Sequence, residues 1–267
     1  MKLKLFTCVT KDNDYIGLNQ IYEYWENEGY VDRVHIPMKS DRRFIAWVGR
    51  EGGLALEPSD IEAISSEYEY VLACQYRSSW NNKEKVLPWN FYVRDYKSLM
   101  EVRKEMPFKK TIKSIFSGTI RGDKHPRNIW KGSTEIFGFR PARRYTRTNN
   151  LYSSAVEYYR SLAQSQFGLC LVGDCPVCQR ETETMATGCV PVFTPGIEWK
   201  YFVSPKENEH FIFAEDPIDF KLKMDLMTKS EIQNISKNAM EYYDKYCSPK
   251  GLWQSVLQTI EQKGIKV

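Results

Sequence analysis

The chain has 267 residues, enough for one large domain or two small ones around a buried core. Hydrophobic residues make up 42% and charged residues 27%, which excludes a disordered or fibrous chain. A net charge of +4 suits an anionic small ligand and does not call for nucleic acid, and no apolar run approaches the ~18 residues of a membrane span.

Residues 3–9 read as a first buried strand, followed by the polar turn Lys11-Asp12-Asn13-Asp14. Leu18, Ile21, Tyr22 and Trp25 fall at i, i+3, i+4 and i+7, one face of a helix that Gly29 stops. Val31–Met38 is a second strand, and Asp41, Arg42 and Arg43 sit in a loop. Ser59-Asp-Ile-Glu62 has the capping-box pattern of a short helix, and Tyr68–Cys74 reads as a further strand. This alternation predicts a small parallel sheet. Asn81–Pro88 is polar and ends in proline, and reads as a long loop. Leu99, Val102 and Met106 space a helix over Asp95–Met106 that Pro107 ends, and a domain boundary is placed near residue 110.

The pattern then restarts. Thr111–Phe116 is a strand, and the loop after it carries Gly118 and Arg121. Glycine there lets a ligand approach the backbone closely. His125-Pro126 opens a short helix, and Arg140 to Arg147 place four arginines around Tyr145. These form either a solvated basic loop or a contact for phosphates or an anionic acceptor. Ser154-Ala-Val-Glu157 caps a helix running to about Gln164. Phe167–Val172 is a buried strand, Gly173 opens a loop, and a short helix starts near Arg180 and stops at Gly188 before the strand Cys189–Phe193. A strand feeding a helix through a glycine-opened loop offers free N–H groups and the positive end of a helix dipole to a phosphate. Arg180 adds a planar fork of donors, and Glu183, one turn on, is placed to accept from ribose hydroxyls. As surface residues at i and i+3, the same two would only form an ion pair. Pro195–Pro205 is irregular, and His210–Ala214 is a short strand. Thr228-Lys-Ser-Glu231 caps a longer helix with Ile232, Ile235, Ala239 and Tyr243 inward. After Ser248-Pro249 a last amphipathic helix runs through Leu252, Val256 and Ile260. No internal repeat shows.

One further motif competes for a function. Cys175-Pro-Val-Cys178 could be a redox pair, half a zinc site or packing thiols. Seven cysteines, an odd number at irregular spacing, point to a reducing compartment. The N-terminus is too interrupted for a signal peptide, so a cytoplasmic location is expected.

Ser165-x-Phe167-x-Leu169-Cys170-x-x-Gly173, followed by Arg180-x-x-Glu183-x-x-x-x-Gly188-Cys189-x-Pro191-Val192, resembles the nucleotide-sugar-binding core of exostosin-like glycosyltransferases. Phe116, Gly118 and Arg121 resemble the segment that opens the donor domain of that family. The likeness spans residues 111–250, is concentrated in 160–195, and does not extend to the first 110. It implies an α/β chain of GT-B type: two Rossmann-like domains, residues 1–110 on the acceptor side and 111–267 on the donor side, facing across a cleft. The last helix would pack back on the first domain. It also implies inverting transfer of a hexosyl or pentosyl group, UDP-xylose included, from a UDP-sugar to a glycan or glycoprotein hydroxyl. The donor would be held by Gly118, Arg121, Gly173, Arg180 and Glu183. The general base would come from the first domain, with Asp14 and Asp12 as candidates beside His35 and Asp41. Asp12-Asn-Asp14 sits in the first βα loop rather than after a nucleotide-binding strand, so no essential metal is expected. Compactness and the lack of an anchor are similar to the transferases of large algal DNA viruses. The alternatives are a non-catalytic nucleotide- or glycan-binding module, or a thiol-redox or zinc protein built on Cys175 and Cys178.

Overall fold

The computed structural model describes residues 3–7, 16–34, 44–47, 66–73, 84–89, 92–118, 126–138, 154–173, 177–199 and 203–266. Two five-stranded sheets form the framework, and every strand pairing in them is parallel. The first contains β1 (Leu3–Thr7), β2 (Val31–Val34), β3 (Phe44–Trp47), β4 (Tyr70–Ala73) and β5 (Val86–Pro88), in the spatial order β2-β1-β3-β4-β5. The second contains β6 (Ile112–Ser117), β7 (Ile136–Gly138), β8 (Ser165–Cys170), β9 (Val190–Phe193) and β10 (Ile212–Phe213), in the order β7-β6-β8-β9-β10. Numbered from its own first strand, each sheet reads 2-1-3-4-5. The strand order therefore reverses between β1 and β3 in one sheet and between β6 and β8 in the other. Ligands of open α/β sheets bind at the carboxyl ends of the strands that flank such a reversal.

Local chemistry sets the helices. The apolar stripe Leu18, Ile21, Tyr22 and Trp25 is buried on α1 (Ile16–Asn27), and Gly29, at a φ of 70°, closes it. Asp95 caps α2 (Tyr96–Lys104), accepting from Ser98 N at 3.1 Å. Ser154 caps α3 (Ala155–Gln164) in the same way through Glu157 N. The short α4 (Gln179–Ala186) follows β8 and is buried along its whole length. Asp216 and Pro217 open α5 (Pro217–Leu226). The reciprocal Thr228–Glu231 box opens α6 (Lys229–Tyr242), which widens into a π turn over Tyr243–Cys247. Ser248 and Pro249 open α7 (Pro249–Gln262).

One expectation is corrected here, and two elements appear that the sequence reading leaves unassigned. Asn81–Pro88 is not loop throughout, because Val86–Pro88 pair with β4 as an edge strand, the position in a sheet that tolerates proline. Phe44–Trp47, unassigned in the sequence, form a strand between β1 and β4. Residues 217–226 form a helix that the sequence pattern does not mark. The Ser59–Glu62 capping pattern and the arginines at 140–147 lie outside the described residues.

The two sheets are tied by aromatic and polar contacts. Trp253 of α7 stacks on Tyr30 (5.3 Å between ring centres) and packs against Trp25, whose Nε1 donates to Pro249 O at 2.7 Å. Residues 92–95 cross between the sheets as a strap. Gly17 touches this strap so closely that a Cβ there would overlap the Val93 carbonyl. A bidentate Arg103–Asp244 pair (2.6 and 2.9 Å) fastens α2 to the π turn.

Candidate functional site

The carboxyl ends of β6 and β8 carry a buried polar cluster. Arg180, the second residue of α4, is 2% exposed. Its Nε donates to Ser117 O (2.8 Å) at the end of β6, and its Nη1 to Leu171 O (3.0 Å) just past β8. The guanidinium lies over the Phe116 ring, 4.8 Å from its centre. Its Nη2 is buried with no hydrogen-bond partner, an orphaned charged donor at a topological reversal. A Cβ added at Gly118 would lie 2.5 Å from that same nitrogen. A side chain at residue 118 would therefore displace that nitrogen.

A second guanidinium converges on the same strand ends. Arg127, in the 3-10 turn Pro126–Trp130, is buried, donates from Nε to Val172 O (2.9 Å), and lies 5.9 Å from the Phe116 ring centre. A Cβ at Gly173 would lie 2.7 Å from its Nη2 and 2.9 Å from Cys178 Sγ. Cys178 is the N-cap of α4, so the first turn of that helix opens onto the two arginines. Behind them sits Glu181, fully buried, with Oε2 accepting Cys178 N at 2.8 Å and Oε1 unpartnered. Burial pushes its carboxyl above the ordinary range, opposed chiefly by the Arg180 guanidinium.

Glu183 stands apart from this cluster. It is fully buried one turn along α4 from Arg180, where the strap meets the helix. Oε1 accepts from Arg94 N (2.9 Å) and Tyr159 OH (3.1 Å), and Oε2 from Tyr158 OH (2.8 Å). Arg94 Nη2 adds an ion pair at 3.5 Å, and Arg94 Nε reaches Gln179 at 3.1 Å. A ribose acceptor role does not fit this placement, because both oxygens are already engaged inside the protein. The buried carboxylate lowers its energy by holding residue 94 instead.

The structure thus brings Gly118, Gly173 and Arg180 together and engages Glu183 with Arg94, Tyr158 and Tyr159. Asp12, Asp14, Arg121, His35, Asp41 and Cys175 lie outside the described residues. Arg127, Glu181 and the Arg94 strap are not singled out by sequence. Only the proline that starts the 126–130 turn hints at the first, and the other two take their surroundings from strands and loops distant in the chain.

No protein-family model matches the chain, and no curated protein matches its sequence. Solved structures do match in three dimensions. A glycosyltransferase from Rickettsia africae ESF-5 aligns over 100% of this chain and 99% of its own, with a TM-score of 0.54 and 7% identity. Anabaena HepE in complex with UDP-glucose aligns over 98% of this chain and 100% of its own, with a TM-score of 0.54 and 9% identity. The same protein with UDP and glucose gives a TM-score of 0.52 at 8% identity. Among the described residues no helix is long and apolar enough to cross a membrane. At such identities the likeness establishes architecture: the chain has an α/β fold of GT-B-like type.

Proposed function

We propose that this chain is a glycosyltransferase that moves a sugar from a UDP-sugar to an acceptor hydroxyl. The observation that carries the proposal is the orphaned Nη2 of Arg180, buried beside Arg127 and the start of α4 where the strand order reverses. A buried guanidinium with an open donor is costly unless an anion completes it, and a diphosphate is the anion that a helix start at a strand reversal best accepts. That Anabaena HepE, which shares the fold, was solved with UDP-glucose supports the same ligand class.

In this mechanism the bond between the anomeric carbon and the diphosphate breaks while the acceptor oxygen attacks. Arg180, Arg127 and the first N–H groups of α4 meet the negative charge growing on the leaving group. Gly118 and Gly173 keep the approach free of side chains, and the sequence puts Arg121, three positions past Gly118, as a third cation. Glu183 acts through α4 by fixing its position. The base that takes the acceptor proton belongs to the first lobe, in the loop after β1, where the sequence puts Asp12 and Asp14. Residues 1–110 would then bind the acceptor and 111–267 the donor. Guanidinium groups in place of a metal make the reaction metal-independent, and a single displacement from the face opposite the diphosphate makes it inverting. The 160–195 motif aligns the chain with exostosin-like enzymes, whose donors include UDP-xylose.

Calorimetry with UDP, GDP, CMP and a set of UDP-sugars, first in EDTA and then with Mn²⁺, tests the proposal. UDP binding that is indifferent to EDTA and falls about 10–100-fold in Arg180→Ala is the expected result, the loss of one or two charge-assisted bonds. Failure of every nucleotide to bind, or an Arg180→Ala variant that binds as well as wild type, overturns it. A UDP-sugar that binds but is neither transferred nor hydrolysed replaces the enzyme with a binding module.

A further inference from the structure

Cys178 is the thiol nearest this site. It occupies the N-cap of α4, where it forms a capping box with Glu181: the Glu181 side chain accepts from Cys178 N and the Glu181 backbone N–H faces the sulfur. It is partly exposed, whereas Cys170, Cys189 and Cys247 are buried. Burial pushes the Cys170 thiol well up and the Cys189 thiol to about 12, so neither supplies a nucleophile in the folded protein. Cys178 instead lies at a helix N-terminus, and its Sγ and the Arg127 guanidinium crowd the same point above Gly173. Both features stabilise negative charge on sulfur during attack. The orphaned Nη2 of Arg180, nearly fully buried within the same strand ends, marks this place independently as one built for a ligand.

We propose that Cys178 is a modification site through which small disulfides switch off the nucleotide pocket. This rests on the pocket's assignment to a nucleotide diphosphate. The Cys178 thiolate attacks one sulfur of a low-molecular-weight disulfide, R–S–S–R. The reagent's S–S bond breaks, a Cys178–S–S–R bond forms, and R–S⁻ leaves and takes up the proton that Cys178 gave to solvent. The adduct grows from the sulfur that lies with Arg127 beside Gly173, at the start of α4, and so it displaces the diphosphate. A thiol reductant reverses the exchange and reopens the pocket.

The test uses the full chain carrying Cys175→Ser, which removes an internal disulfide partner, with 5,5′-dithiobis(2-nitrobenzoate) as the probe. Labelling is followed by absorbance, mapped by tandem mass spectrometry, and repeated in saturating UDP. UDP affinity is then measured before labelling, after it, and after dithiothreitol, beside a Cys175→Ser/Cys178→Ser control. Expected are labelling at Cys178 ahead of the buried thiols, slowing by UDP of at least fivefold, and a loss of UDP affinity of at least tenfold that dithiothreitol restores. The control should bind UDP and keep that affinity through the same treatment. UDP binding that survives stoichiometric labelling of Cys178 overturns the proposal alone, as does an unreactive Cys178 or an equal loss in the control. Absence of UDP binding before any labelling overturns the nucleotide assignment and this proposal with it.

Discussion

Replacing Glu183 by alanine separates two roles that the sequence leaves fused. The carboxylate accepts from two tyrosine hydroxyls and one backbone N–H and pairs with Arg94, all in the interior. Removing it takes the acceptor from the Tyr158 hydroxyl and the anion from an Arg94 side chain that is 13% exposed. An orphaned buried donor costs about 1–3 kcal/mol, and breaking one side of a buried ion pair about 3–5 kcal/mol. Tyr159 OH keeps its bond from Asp95 N, and Arg94 keeps Gln179, so the terms overlap rather than add. The expected loss is about 4 kcal/mol, which at about 2–4 °C per kcal/mol lowers the Tm by roughly 10 °C. The assay is thermal and urea unfolding of the ligand-free protein, followed by calorimetry with UDP and 2′-deoxy-UDP. A carboxylate that holds the strap gives the large Tm loss and leaves the affinity ratio of the two nucleotides unchanged. A Tm within about 2 °C of wild type, less than the effect of one lost kcal/mol, together with a collapsed ratio would refute the strap role and restore the ribose contact.

Gly118→Ala puts a carbon 2.5 Å from Arg180 Nη2 and 2.7 Å from Phe116 Cζ, so UDP affinity should fall at least tenfold with a smaller Tm loss than Glu183→Ala, read by calorimetry and thermal shift. Glu181 titrates above its ordinary 4.5 in the folded protein, so the folded state holds that proton more tightly than the unfolded chain. Its contribution to stability is full below pH 4.5 and is lost as pH rises through the raised value; urea titrations across pH 4 to 7 should show Glu181→Gln escaping that loss. Trp25→Phe deletes the bond to Pro249 O and should cost about 1–3 kcal/mol in urea unfolding.

Much of the framework is legible in the sequence because it rests on short-range rules. The α1 stripe, the Ser154 and Thr228 caps and the apolar runs of β6, β8 and β9 all declare themselves within a dozen residues. The parts that do not are set by partners distant in the chain. Val86–Pro88 reads as loop because three residues beside charged ones carry no period, and only the edge of β4 makes them a strand. Helix α5 has signals at its start, Asp216 and Pro217, but no clean apolar face. Phe220 and Met224 are buried, while Ile218, Leu222 and Leu226 are exposed. The site divides in the same way. The motif locates α4 and its arginine, yet what Glu183 binds is decided by Arg94, 89 positions earlier. Two sheets of identical strand order show no internal repeat in sequence, since parallel pairing constrains backbone direction and burial rather than residue identity.

The packing of α7 also bears on how the chain matures. Trp25 and Tyr30 belong to the first 30 residues, but the indole that covers them is Trp253 and the carbonyl that satisfies Trp25 is that of Pro249. A chain emerging from the ribosome at about 5–20 residues per second exposes these aromatic rings for some ten seconds or more before their cover is made. The second sheet and its helices complete earlier than the first lobe's core, so the usual N-terminal-first order of assembly is inverted. Chaperone dependence during synthesis should therefore centre on the surface around Trp25, and a chain stalled before residue 249 should present it as the aggregation-prone face.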